Sequence, residues 1–156
     1  MSRAMQPGAL DQYDARSCRA RLLIVEDEIS TVFAMREFFS FNGYAVDCAA
    51  SITDALVQLD QSAYDVVITD LHLTPHRSAE GMSVVTRARR LNPSALIVML
   101  TAYGSEDTGA EATHAGVNLF ETKPVGLAKL ASAIDALRAS ATQTAEPANG
   151  DVTCRK

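Results

Sequence analysis

Short unbroken apolar runs are the feature that most limits what this chain can fold into. Val66-Val67-Ile68 is a β-branched run, while Leu22-Leu23-Ile24-Val25 and Ala95-Leu96-Ile97-Val98-Met99-Leu100 are apolar throughout. Runs of this kind fit strands of a parallel sheet that is covered on both faces. Two weaker runs join them: Tyr44-Ala45-Val46-Asp47-Cys48, which alternates loosely, and the short Val117-Asn118-Leu119-Phe120.

Helical stretches separate the runs. Residues 29–41 place Val32, Phe33, Arg36 and Phe39 to Phe41 around a partly apolar surface, and Asn42-Gly43 supplies a positive-φ stop. Ser51 is an N-cap for a second helix, with Ile52, Ala55, Leu56 and Leu59 as its apolar stripe. A third helix, from Glu80 or Gly81 to Arg90, turns Met82, Val85 and Ala88 inward. It carries Arg87, Arg89 and Arg90 at its end, where they complement the helix dipole. Ser105 and Glu106 open a fourth helix that closes at Gly116. A fifth spans residues 127–139, with Leu127, Leu130, Ala131, Ile134 and Leu137 on one side. Five strands alternating with five helices predict an α/β fold, a doubly wound five-stranded parallel sheet. One domain is expected over residues 21–139, between a disordered arm (1–20) and a disordered polar tail (140–156).

Composition narrows the function. A net charge of −5 argues against a nucleic-acid surface. No run approaches the ~20 apolar residues that a bilayer span needs, and the N-terminus lacks the apolar core of a signal peptide. Cys18, Cys48 and Cys154 are odd in number and widely spaced, which fits neither a disulfide framework nor a zinc site. A reducing, cytoplasmic setting is therefore expected.

Each strand with a polar terminus carries it at the carboxyl end, where open α/β sheets place their ligand chemistry. That gathers Glu26, Asp27, Asp70, Thr101 and Lys123 on one rim. An acid at a strand end often does no more than cap the next helix, so Asp70 alone decides little. The run Glu26-Asp27-Glu28 repels itself unless a cation or a helix N-terminus compensates. Carboxylates clustered beside one lysine suit a hard divalent cation with oxygen ligands. A carboxylate so placed can attack a phosphoryl group, since aspartyl phosphates are known covalent intermediates. A lysine ammonium and a hydroxyl would then meet the phosphoryl oxygens.

Leu23-Ile24-Val25-Glu26-Asp27-Glu28, Val67-Ile68-Thr69-Asp70-Leu71, Leu100-Thr101-Ala102 and Thr122-Lys123-Pro124 together resemble the receiver domain of bacterial two-component response regulators. The resemblance runs from Arg21 to Ala139, and the joint pattern is far more specific than any one piece. It implies a flavodoxin-like sheet with strand order 2-1-3-4-5. It implies that Asp70 accepts a phosphoryl group from a histidine kinase or phosphotransfer protein. Glu26, Asp27 and Asp70, with the backbone carbonyl of His72, would bind Mg²⁺. Thr101 and Lys123 would contact the acyl phosphate, and Phe120 would turn inward on activation. His72 and Tyr103, at the mouth of the site, would tune dephosphorylation, and the Lys123–Pro124 bond would be cis. Such a chain is not an enzyme beyond catalysing its own phosphorylation and dephosphorylation.

The chain departs from the family pattern in three places. The loop Thr74-Pro75-His76-Arg77-Ser78-Ala79-Glu80 is longer than usual and borders the site. Asn118 stands where members that bind DNA and dimerise through their fourth and fifth helices commonly carry an acid, so a monomer or weak dimer is expected. No output domain is expected after residue 139, and the expectation is a stand-alone regulator that signals through a protein partner and binds neither DNA nor membrane. A phosphate sink or relay intermediate is the alternative. Glu106, Asp107 and Glu111 beside Lys129 and Arg138 form a mixed face suited to a protein.

Other chemistries fit less well. His72 and His76 have the spacing of helical metal ligands, but Pro75 lies between them. A flavodoxin-like binder of flavin or nucleotide would want a Gly-rich loop at a helix N-terminus, where this chain has three acids. An aspartyl phosphatase would want an acid two residues after its nucleophile, where this chain has His72.

Overall fold

Alternation along the apolar runs decides how the layers assemble. The computed structural model describes residues 18–73 and 80–143. Its strands are β1 (Ala20–Val25), β2 (Tyr44–Ala49), β3 (Val66–Asp70), β4 (Leu96–Thr101) and β5 (Leu119–Thr122). Its helices are α1 (Ile29–Phe41), α2 (Ile52–Gln61), α3 (Gly81–Leu91), α4 (Glu106–His114) and α5 (Leu127–Gln143). The strands form one parallel sheet in the order β2-β1-β3-β4-β5. Leu22, Ile24, Val66, Ile68, Val98 and Leu100 point to one face and pack with Met35 and Phe39 of α1 and Leu130 and Ile134 of α5. Leu23, Val25, Val67, Ile97 and Met99 point to the other, against α2, α3 and Ala112 of α4. A period of two applied to fully apolar strands thus makes two cores, one on each side of the sheet.

Several expectations are corrected. The domain starts before residue 21: the Arg19 N–H donates to the Gly43 carbonyl at 2.8 Å and the Arg19 guanidinium pairs with Asp135 at 2.8 Å. Arg21, exposed on β1, is held by Asp47 at 2.9 Å and lies over the Tyr64 ring. On α1 the buried residues are Met35 and Phe39, while Phe33 and Phe41 are 65% and 93% exposed. Apolar residues surround this helix, so the pattern alone sets no phase; packing against β1 and α5 selects the Met35–Phe39 stripe. On α3, Val84 joins Val85 and Ala88 in the core, and Met82 is only partly buried. The tail boundary at residue 140 also moves, since α5 continues to Gln143. Ser140 and Thr142 satisfy their hydroxyls within it by donating to the carbonyls of Ala136 and Arg138.

The arginines at the end of α3 do more than answer the helix dipole. Arg87 forms a two-point pair with Asp60 of α2. Arg89 donates to the carbonyls of Pro93, Ala95 and Gly116 and to Asn118 Oδ1, which also accepts the Ile97 N–H at 2.8 Å. Asn118 is therefore a structural clamp between β4 and β5. The arm 1–17, the loop 74–79 with Pro75 and His76, and the tail from residue 144 with Cys154 lie outside the described residues. Cys18 and Cys48 are both free thiols. Among the described residues no helix is long and apolar enough to cross a membrane.

Candidate functional site

Register delivers the site. Val25 pairs with Thr69, so Glu26, just past β1, lies beside Asp70, the last residue of β3; Thr101 pairs with Thr122, which sets Lys123 beyond them. Glu26, Asp70 and Thr101 are all buried, at 3%, 7% and 0% exposure. Lys123 Nζ lies between the two carboxylates, donating to Glu26 Oε2 at 2.5 Å and to Asp70 Oδ2 at 2.7 Å. The remaining oxygens are met by backbone. The His72 N–H donates to Asp70 Oδ1 at 2.9 Å, and the Glu28 N–H donates to Glu26 Oε1 at 3.1 Å. Charged groups this deep persist only when paired and hydrogen-bonded in this way.

The electrostatics follow from that burial. Desolvation pushes the Glu26 carboxyl above its ordinary pKa, although the hydrogen bond from Lys123 pulls the other way. Burial would lower the Lys123 ammonium, but its hydrogen bonds to Asp70 and Glu26 hold it above the usual lysine value. Two carboxylates thus share one ammonium, and negative charge remains in surplus. Thr101 Oγ1 accepts the Tyr103 N–H at 3.2 Å, and the Lys123 N–H donates to the Thr101 carbonyl at 2.7 Å. The Lys123–Pro124 bond is cis, matching the expectation.

The other residues singled out in the sequence lie around this core. Asp27 is exposed at the rim, His72 is half-buried and Tyr103 is 84% exposed. Glu28 is turned outward to the hydroxyls of Ser30 and Thr31, both 2.6 Å away, which lower its pKa. Phe120 is partly buried against the core on the α2–α4 side. Among the described residues no group of three acidic, histidine or cysteine side chains is already drawn together as a metal cage. The donor chemistry nonetheless fits a hard divalent cation: Glu26, Asp27 and Asp70 offer only oxygen, and their surplus charge is what such an ion neutralises.

One participant was not legible as such in the sequence. Gly81 opens α3 directly against the end of β3, its N–H donating to the Leu71 carbonyl at 3.1 Å. A Cβ there would stand 2.2 Å from the Asp70 carbonyl oxygen, so only glycine lets α3 start where it supports Asp70. Its position at the head of a helical pattern was the only hint.

Comparison with known proteins gives the class to which this doubly wound sheet, with its buried acid pair and lysine at the carboxyl edge, belongs. The family model for the response regulator receiver domain matches residues 22–135, and the chain belongs to that family. It is 34% identical over 128 residues to the transcriptional regulatory protein GlrR of Escherichia coli K12, covering 81% of this chain and 28% of GlrR. It is 36% identical over 104 residues to the transcriptional regulatory protein DltR of Streptococcus agalactiae, covering 67% of this chain and 45% of DltR. The chain therefore spans less than half the length of either relative. A CheY-like receiver domain protein from Methanospirillum hungatei superposes with a TM-score of 0.72 at 23% identity, covering 80% of this chain and 97% of that one. A response regulator from Burkholderia pseudomallei, solved with a phosphorylated aspartic acid, a calcium ion and citrate, superposes with a TM-score of 0.67 at 24% identity. It covers 81% of this chain and 75% of that one. Receiver domains in general are phosphoacceptors that exchange phosphate with histidine kinases or phosphotransfer proteins and typically bind Mg²⁺ at the phosphorylation site.

Proposed function

We propose that Asp70 is the phosphoacceptor of this receiver, taking a phosphoryl group from a histidine kinase or phosphotransfer protein. The observation that carries this reading is the Asp70 carboxylate, buried at the strand end and held at 2.7 Å by Lys123. An Asp70 oxygen attacks phosphorus as the bond to the donor breaks. Lys123 then transfers its contact from the carboxylate to a phosphoryl oxygen, where the new charge lies. Thr101 Oγ1 leaves its Tyr103 contact and donates to a second phosphoryl oxygen. Glu26, Asp27 and Asp70, with the His72 carbonyl, would hold Mg²⁺, which supplies charge neutralisation for the incoming phosphoryl group. The phosphorylated aspartate and the calcium ion of the Burkholderia protein support this assignment by likeness.

Output is read from the surface beyond Thr101 and Phe120. Glu106, Asp107 and Glu111 are exposed on α4, and Lys129 of α5 reaches Glu121 at 3.4 Å. Arg138, expected on this face, is instead turned to the Arg19 carbonyl and lies over the Tyr44 ring. That leaves the face acidic, which favours a basic protein surface over a nucleic acid. The deciding experiment is labelling with radioactive acetyl phosphate. The wild type should be labelled and Asp70→Asn should not, with its circular dichroism unchanged, because the amide is near-isosteric but not nucleophilic. Equal labelling of Asp70→Asn would overturn the assignment.

A further inference from the structure

Two glycines stand where the switch aromatic lies. Gly43 and Gly116 hold positive φ and need no other explanation, but Gly104 and Gly109 are not in that conformation. Gly109 sits mid-helix in α4, where alanine would favour the helix and glycine weakens it. What both positions share is the Phe120 ring. A Cβ at Gly104 would lie 3.2 Å from Phe120 Cε1, 3.1 Å from Thr101 Cγ2 and 3.2 Å from Thr122 Oγ1. A Cβ at Gly109 would lie 3.4 Å from Phe120 Cδ1 and 3.6 Å from Cε1. A side chain at Gly104 would thus crowd both proposed switch side chains, whereas one at Gly109 would fit along one edge of the ring. α4 offers little else to hold it, since Ala112 is its one buried residue.

We propose that Gly104 and Gly109 are positioning residues that form a side-chain-free seat for Phe120, and that this seat sets how far phosphorylation at Asp70 moves the ring and α4. The inference rests on the phosphoacceptor reading of Asp70 above and adds the element that governs its transmission. A Cβ at Gly109 would meet the ring at ordinary van der Waals distance, so alanine fits the resting arrangement without strain. It adds a contact that exists only there, and so biases the ring toward staying. Alanine at Gly104 acts differently. Three neighbours must give way at once, so the resting position of Phe120 and Thr101 is itself displaced.

The test uses the full chain labelled with fluorophenylalanine, the Phe120 resonance being assigned among the five phenylalanines with Phe120→Leu. Beryllofluoride with Mg²⁺ serves as the phosphoryl mimic. In the wild type the mimic should shift the Phe120 resonance. In Gly109→Ala it should still block labelling of Asp70 by acetyl phosphate, but the shift should fall to roughly half or less, as expected when one of two states is favoured. Gly104→Ala should displace the resonance before any mimic is added. His114→Ala is the control, because His114 is exposed on the same helix and alanine raises the helical preference there too. A full wild-type shift in Gly109→Ala would overturn the seat. So would an equal loss in His114→Ala, which would assign the effect to helix stability. A wild type that acetyl phosphate leaves unlabelled at Asp70 would bring down the phosphoacceptor reading itself, and the seat with it.

Discussion

Replacing Lys123 by methionine keeps most of the unbranched side chain and removes its charge, leaving Glu26 and Asp70 buried together without the ammonium that serves both. The two carboxylates have side-chain exposures of 4% and 8%, and their oxygens lie 2.5 and 2.7 Å from Nζ. Removing one partner of a buried ion pair costs about 3–5 kcal/mol. Two acids lose their partner here, which raises the cost. The lysine is itself 23% exposed, so water reaches the gap and lowers it. We expect a net loss of about 3 kcal/mol in EDTA at neutral pH, read as a fall in melting temperature of roughly 10 °C. Mg²⁺ at about ten times its dissociation constant should restore about 1.4 kcal/mol by mass action. Adding Glu26→Gln to Lys123→Met should also recover at least ~1 kcal/mol, because one of the two unpaired charges is gone. Urea unfolding and thermal melts of the three proteins measure all of this. A Lys123→Met chain within ~0.5 kcal/mol of wild type in EDTA would refute the reasoning, since the carboxylates could not then depend on the ammonium.

Three further outcomes are expected. Gly81→Ala forces a Cβ to within 2.2 Å of the Asp70 carbonyl. It should cost at least ~2 kcal/mol and slow acetyl phosphate labelling, while Gly126→Ala, with nothing within 4 Å of its Cβ, should do neither. Millimolar Mg²⁺ should raise the wild-type melting temperature, and do so less in Asp27→Asn; equal responses would remove Asp27 from the ligand set. Burial first, and then its hydrogen bond to Asp47, pushes the Tyr64 hydroxyl up to about 12. Because this folded value lies above the unfolded one, its contribution is whole below pH ~10 and is lost as pH climbs through about 12. Urea midpoints measured across that range should fall more steeply in wild type than in Tyr64→Phe.

The sequence by itself determined the elements and the rim. Four of the five runs end in polar residues at the carboxyl end, which defines a converging rim, and periodicity one residue at a time is enough to see it. Glu26, Asp70, Thr101 and Lys123 were readable as one set because each sits at the same end of its own strand, and the structure brings these four together. Helix ends were readable too where a local group carries them, as with the Ser51 and Ser105 side chains that accept from the backbone three residues on. What only the tertiary structure decided depends on contacts between residues distant in the chain. Helix α1 is apolar around much of its circumference, so its buried stripe is chosen by β1 and α5, which leaves Phe33 and Phe41 in water. Arg89 looks like any basic residue at a helix end until β4 and β5 bring it three carbonyls and Asn118. Gly81 and Gly104 look like ordinary loop and helix-start glycines until Asp70 and Phe120 arrive within a Cβ's reach. A side chain's local pattern states what it can do, but close packing across the sheet decides which neighbour it must make room for.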